Sequence, residues 1–141
     1  MKNKTDAIPK SEFTSPTLVV RITETYRPGM TTAQICDCAR WAWDADLERA
    51  SSCKLVLAVY KGEVVGAFEP SKCDFAANIK PPKGKDAALV AQDIKEGRVA
   101  FEGVDVSQSS PFVGRKITMG QNPILYCGEK PRQVNHRPLA L

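Results

Sequence analysis

The spacing of apolar and polar positions changes several times along the chain, and each change marks an element. Thr17–Thr25 (TLVVRITET) is rich in β-branched residues and predicts a first strand. Pro28 and Gly29 end it in a turn. Thr31 and Gln34 have the spacing of a capping box, ahead of an apolar stripe at Ile35, Ala39 and Ala42. A helix is therefore expected through about Trp43. The acidic stretch Asp44–Glu48 predicts a break or a second short helix. Lys54–Tyr60 (KLVLAVY) is a nearly continuous apolar strand, and Lys61–Gly62–Glu63 turns it back into Val64–Phe68. Both hairpin strands are apolar on both faces, so the sheet needs a cover, and the helix is the expected one.

Residues 70–85 hold Pro70, Pro81, Pro82 and Gly84 and predict a loop. Asp86 caps a helix to Glu96, and Gly97 stops it. Arg98–Glu102 is a further strand, and Val104–Pro111 is polar and irregular. Lys116–Met119 and Pro123–Cys127 are short extended segments on either side of Gly120. No internal repeat or low-complexity segment interrupts this series. It predicts one α+β domain over residues 17–127, a compact antiparallel sheet covered on one face by two helices. Residues 1–16 and 128–141 are polar and Pro-containing, too poor in apolar surface to repay ordering, and are expected to be flexible tails whose removal leaves stability unchanged.

The chain has 141 residues, enough for one domain with a core of its own and no need of a disulfide or metal staple. It has no apolar run of membrane-spanning length, and residues 1–16 lack the apolar core of a secretory signal, so a cytoplasmic protein with no membrane partner is expected. Cys36, Cys38, Cys53, Cys73 and Cys127 make an odd count with no metal-ligand spacing. Cys36 and Cys38 lie two apart in a predicted helix and face different ways. The single histidine, His136, falls in the C-terminal tail. No metal and no cofactor are expected, and the thiols are expected to be reduced. The net charge of +4 suggests nucleic acid at first, but residues 17–127 carry 14 Lys/Arg against 13 Asp/Glu, a net of +1. Most of the excess sits in the tails, whereas a duplex-binding face needs a clustered basic patch.

Catalytic patterns are thin. There is no nucleophile elbow, Walker loop or dinucleotide glycine motif. Glu102, at a strand end beside Gly103, is the best lone acid, but no partner group is placed by pattern and the favoured reading is a solvated strand-end carboxylate. Arg40 and Trp43 stand three apart on the predicted helix and share a face, so that together they can hold a phosphate and stack a base. The competing reading is a core tryptophan with an arginine stem packed over it. Phe112 and the corner Gly120–Gln121–Asn122–Pro123 form the other candidate. The amides of Gln121 and Asn122 can read a base or ribose, and Pro123 holds Asn122 out of the α region. Here the competing reading is a turn in which Asn122 satisfies its own backbone.

Four stretches carry a family resemblance: LVVRITETYRPGM (Leu18–Met30), Arg40-x-x-Trp43, LVLAVYKGEVVGAFE (Leu55–Glu69), and Phe101-x-Gly103 followed by FVGRKI (Phe112–Ile117) and GQNPILY (Gly120–Tyr126). In this order they resemble a group of uncharacterised bacterial proteins found alongside LEM-3-like GIY-YIG nuclease domains. The chain departs from that group at Trp41, where glycine is usual, and at Val99, where an aromatic is. The Gly-Ile-Tyr and Tyr-Ile-Gly motifs of the nuclease are absent, so nuclease activity is not carried over. Phe112 ten residues before Asn122, with arginine and tryptophan in a helix, is also similar to phage anti-defence proteins that sequester Thoeris nucleotide signals.

The leading expectation is a binding module, not an enzyme, for a nucleotide-like or phosphate-bearing small ligand. Arg40 and Arg98 would meet phosphate, Trp43 and Phe112 would stack, and Gln121 and Asn122 would hydrogen-bond. Two alternatives stand beside it. One is a nucleic-acid-binding accessory to a nuclease or DNA-processing system; the other is a small hydrolase or lyase using Glu102. A second copy of the chain is a further candidate partner.

Overall fold

The computed structural model describes residues 7–23 and 25–128. Its strands are β1 (Thr17–Arg21), β2 (Leu55–Tyr60), β3 (Glu63–Phe75), β4 (Val99–Asp105) and β5 (Ile124–Cys127), and its helices α1 (Thr32–Arg40), α2 (Leu47–Ser51) and α3 (Ala87–Lys95). The strands form one sheet in the order β4-β3-β2-β1-β5. The α+β class is as the sequence predicts, but the sheet is mixed. β1 and β2 pair in parallel, Thr17 opposite Leu55 through Arg21 opposite Val59, while the other three pairs are antiparallel. The cause lies in the connection: residues 22–54 cross over through α1 and α2 before β2 begins, and only a crossover of that kind brings a strand back parallel.

Local signals hold where the chemistry is local. Thr31 and Gln34 close a full capping box on α1, with Gln34 N 3.2 Å from the Thr31 hydroxyl and Thr31 N 2.9 Å from Gln34 Oε1. Asp46 caps α2 and Asp86 caps α3. Gly97, at φ +72°, lets the chain leave α3 for β4. Two boundaries move. α1 stops at Arg40, because Trp41 is extended and Trp43 pairs with Val99 at the edge of β4 through two backbone hydrogen bonds of 2.8 and 2.9 Å. β3 runs on past Pro70, which sits where the pairing with β4 slips between Pro70 and Lys72; an irregularity is where a strand tolerates proline.

Side chains alternate across the sheet to build two cores. Leu18, Val20, Ile22, Val56, Ala58, Phe68 and Phe101 pack with Ile35, Ala39 and Ala50 beneath α1 and α2. On the opposite face Val19, Leu57, Val59, Val64 and Ala67 pack with Ile8, Phe13, Phe112 and Ile117. This second cover is irregular chain, where one helical cover had been expected. Part of it comes from residues 7–16, which are no loose tail. Ala7 bridges to Lys116, Lys10–Glu12 forms a 3-10 turn, and the Phe13 ring stacks on Phe112 at 4.9 Å between centroids. Two buried aromatic and aliphatic anchors, Phe13 and Ile8, are enough to dock a short polar segment on an otherwise open apolar face. α3 buries none of its residues and rests beside a small cluster of Trp41, Ala76, Ile79 and Ala100.

Residues 1–6 and 129–141, including His136, lie outside the described residues. Among the described residues no helix is long and apolar enough to cross a membrane.

Candidate ligand cleft

At the carboxyl end of β1 the chain departs toward α1, while the 120–123 corner enters β5 beside it. Residues 21–23 and 122–124 together line a cleft there. The cleft has a volume of about 620 Å³. Arg21, Trp43, Lys85, Arg98 and Asn122 line it, with Asp44 and Asp93 among them.

Five of these side chains have a traceable support. Arg21, the last residue of β1, donates to the carbonyls of Gly120 and Gln121 and so ties the corner to the strand. Asn122 Oδ1 accepts from Ile124 N at 3.2 Å, the turn expected of an Asn before proline, which leaves its amide NH2 as the remaining donor. Trp43 is fixed by its backbone pairing with Val99 and by its indole N–H, which donates to Ala39 O at 2.6 Å. Asp93, from α3, accepts from the Trp41 indole at 3.0 Å and lies 3.8 Å from Arg98 Nε. Arg98 is engaged more closely by Glu96 at 2.9 Å. Glu96 is exposed, and hydrogen bonds from Gln92 and Arg98 hold its carboxyl below the usual range.

Cationic partnership is uneven. Arg98 pairs with Glu96 and Asp93, and Arg40 with Asp37. Among the described residues Arg21 and Lys85 make no ion pair, although both line the cleft. The acids Asp44 and Asp93 alternate with the cations, and no continuous basic stripe forms along this wall.

Of the residues singled out in the sequence, Trp43, Arg98 and Asn122 meet in this cleft. Arg40 does not. Its helix ends before Trp43, so the two share no helix face. Arg40 instead donates to Asp37 Oδ1 at 2.7 Å and to Lys80 O at 2.8 Å, in a separate hollow of about 400 Å³ that Glu102 and Asp105 also line. Phe112 is buried under the opposite face of the sheet against Phe13, so it offers no ring to a ligand in this cleft. The pairing of Phe112 with Asn122 that carries the phage resemblance is thus split between two faces. Gln121 lines an adjoining hollow with Arg49 and Tyr126, and it reaches the cleft only through its carbonyl, which accepts from Arg21. Glu102 is an exposed side chain on β4, remote from the cleft lining.

No sequence pattern marks Arg21 and Lys85 as functional candidates. Arg21 lay inside a predicted strand, and Lys85 in a predicted loop just before a helix cap. A lone cation carries no periodicity, and only the fold sets these two across one opening.

Among the described residues the five cysteines form no disulfide, and no three His, Cys, Asp or Glu side chains gather as a metal site. Burial, with the nearby Asp105 carboxylate, pushes the Cys36 thiol up to about 12, and burial also raises Cys73. Neither is poised as a nucleophile. No protein-family model, curated protein or solved structure matches the chain.

Proposed function

We propose that the chain is a binding module whose cleft takes a nucleotide-like or other phosphate-bearing small ligand and releases it chemically unaltered. The observation that carries this reading is the pair of cations, Arg21 and Lys85, which line a concave wall and make no ion pair among the described residues. An anion entering there gains charge-assisted hydrogen bonds, each contributing about 1.5–3 kcal/mol. Trp43 supplies an aromatic wall, and stacking a base on such a ring contributes about 1–3 kcal/mol. Asn122 adds an amide donor at the rim. In a phage or bacterial setting, a module of this kind would sequester a nucleotide signal.

The test is a titration of the protein with mononucleotides and inorganic phosphate, followed by tryptophan fluorescence and thermal shift. Binding is expected, with Lys85→Ala and Asn122→Ala each weakening it by roughly tenfold, or about 1.4 kcal/mol, at unchanged cooperativity of unfolding. Compound released by heating should be intact. Wild-type affinity in both variants would overturn the assignment to this cleft.

A further inference from the structure

The cleft does not stop at the buried Trp41. A second hollow of about 530 Å³ adjoins it, lined by Arg27, Met30, Lys83 and Leu89 among others. Thr25, Cys38, Trp41 and Lys85 line both hollows, so the two form one trough with a waist. Each compartment alone falls in the range of small-molecule sites, about 300–1,000 Å³.

The chemistry of the trough repeats on either side of the waist. The first compartment offers Trp43 with Arg21; the second offers Met30 and Leu89 with Arg27 and Lys83. Leu89 is 57% exposed, an apolar side chain left uncovered on α3. Lys85 stands at the waist without an ion pair among the described residues. Most of the acids that line the trough are already engaged. Asp37 holds Arg40, Asp86 caps α3 through Ala88 N, and Asp93 takes the Trp41 indole and faces Arg98. They therefore oppose an incoming anion less than their number suggests.

We infer that the trough takes a two-lobed ligand, two flat or apolar groups joined by a phosphate or pyrophosphate bridge, with the bridge at Lys85 and one lobe in each compartment. The inference rests on the cleft reading above. A lysine suits the bridge because its ammonium is a compact point charge that meets a phosphate from any side. Linking two lobes makes the second contact intramolecular, so the joined ligand gains affinity over either half.

The experiment compares adenosine and guanosine monophosphates with diadenosine and diguanosine pyrophosphates, on the wild type and on Leu89→Ser, Arg27→Ala and Lys85→Ala, with thermal unfolding monitored for each. At least one dinucleotide is expected to bind tenfold or more tightly than its mononucleotide. Leu89→Ser and Arg27→Ala should remove that advantage and leave mononucleotide affinity within twofold of wild type, whereas Lys85→Ala should weaken both kinds of ligand. Equal affinity for both kinds, or a dinucleotide advantage untouched by Leu89→Ser and Arg27→Ala, overturns the two-lobed ligand and leaves the cleft reading standing. Failure of every nucleotide to bind overturns both.

Discussion

Arg115 holds both carboxylate oxygens of Glu12 in a two-pronged grip, across 103 positions of sequence, with Nη2 to Oε1 at 2.9 Å. The pair joins the N-terminal segment to the loop that precedes β5, and both partners sit over the second core. Arg115 is the more buried of the two, its side chain 9% exposed.

Removing one partner breaks this ion pair. Glu12→Ala is expected to destabilise the fold by about 2–3 kcal/mol in urea unfolding, because a nearly buried guanidinium loses this charge partner. Adding Arg115→Met should recover part of that loss, since no charge then remains buried. Deleting residues 1–15 should lower the melting temperature further, as it also uncovers Val19, Leu57 and Val59. A truncated protein as stable as the full chain would contradict the docking of this segment.

Phe112 belongs to packing. Phe112→Ala is expected to cost about 3 kcal/mol of stability, near the low end for a buried phenylalanine, while ligand affinity per folded molecule stays within twofold of wild type. Asn122→Ala should do the reverse. Loss of binding in a Phe112→Ala protein that remains fully folded would reopen that residue as part of the site.

Gly66 lets α1 lie directly on β3. A Cβ at this position would sit 2.7 Å from Ile35 Cγ2 and 3.5 Å from the Ser107 hydroxyl. Gly66→Ala should therefore cost about 1–3 kcal/mol through overpacking. Ile35→Leu removes the offending branch methyl at nearly constant volume, so the double variant should be more stable than the two single losses added together. Simple additivity would show that the close approach is relieved elsewhere.

Asp105 couples the end of β4 to the start of α1. Burial alone would raise its carboxyl, but the Thr32 hydroxyl at 2.6 Å and the side chain and backbone N–H of Ser107 outweigh that and hold it below the usual carboxylate range. A folded-state value below the unfolded one contributes stability above the unfolded pKa, and that contribution fades as pH falls through the folded value. Asp105→Asn should thus cost about 1 kcal/mol at neutral pH, the ordinary net worth of such a hydrogen bond. Its stability curve should converge on that of the wild type below about pH 4. Parallel curves down to pH 2 would remove Asp105 as the titrating group.

What the sequence revealed divides by range. The capping box of Thr31 and Gln34, the turn at Gly62 and the limits of α3 at Asp86 and Gly97 depend on neighbours a few positions away, and all of them stand in the fold. The parallel partnership of Thr17 with Leu55 depends on how a long crossover folds, and no local period records it. Ile8 and Phe13 were passed over because two apolar residues in a polar segment show no periodicity. The site divides in the same way. Trp43, Arg98 and Asn122 were singled out for their chemistry, and the fold sets them in one cleft. Arg40 was grouped with Trp43 by helical spacing, and the grouping failed where the helix ended early, when Trp43 paired with Val99.

The place of β1 between β2 and β5 has a consequence for how the protein is made. β1 leaves the ribosome ahead of the other described strands, yet Thr17, Leu18, Val19 and Val20 find antiparallel partners only in Cys127, Tyr126, Leu125 and Ile124. A nascent chain that stalls before residue 124 carries β1 with one edge unsatisfied, and its four buried side chains are apolar or nearly so. Such an edge is a template for pairing with any neighbouring chain. Translation beyond residue 127 is thus the step at which β1 gains its second neighbour, and incomplete products should be the species that chaperones and proteases meet.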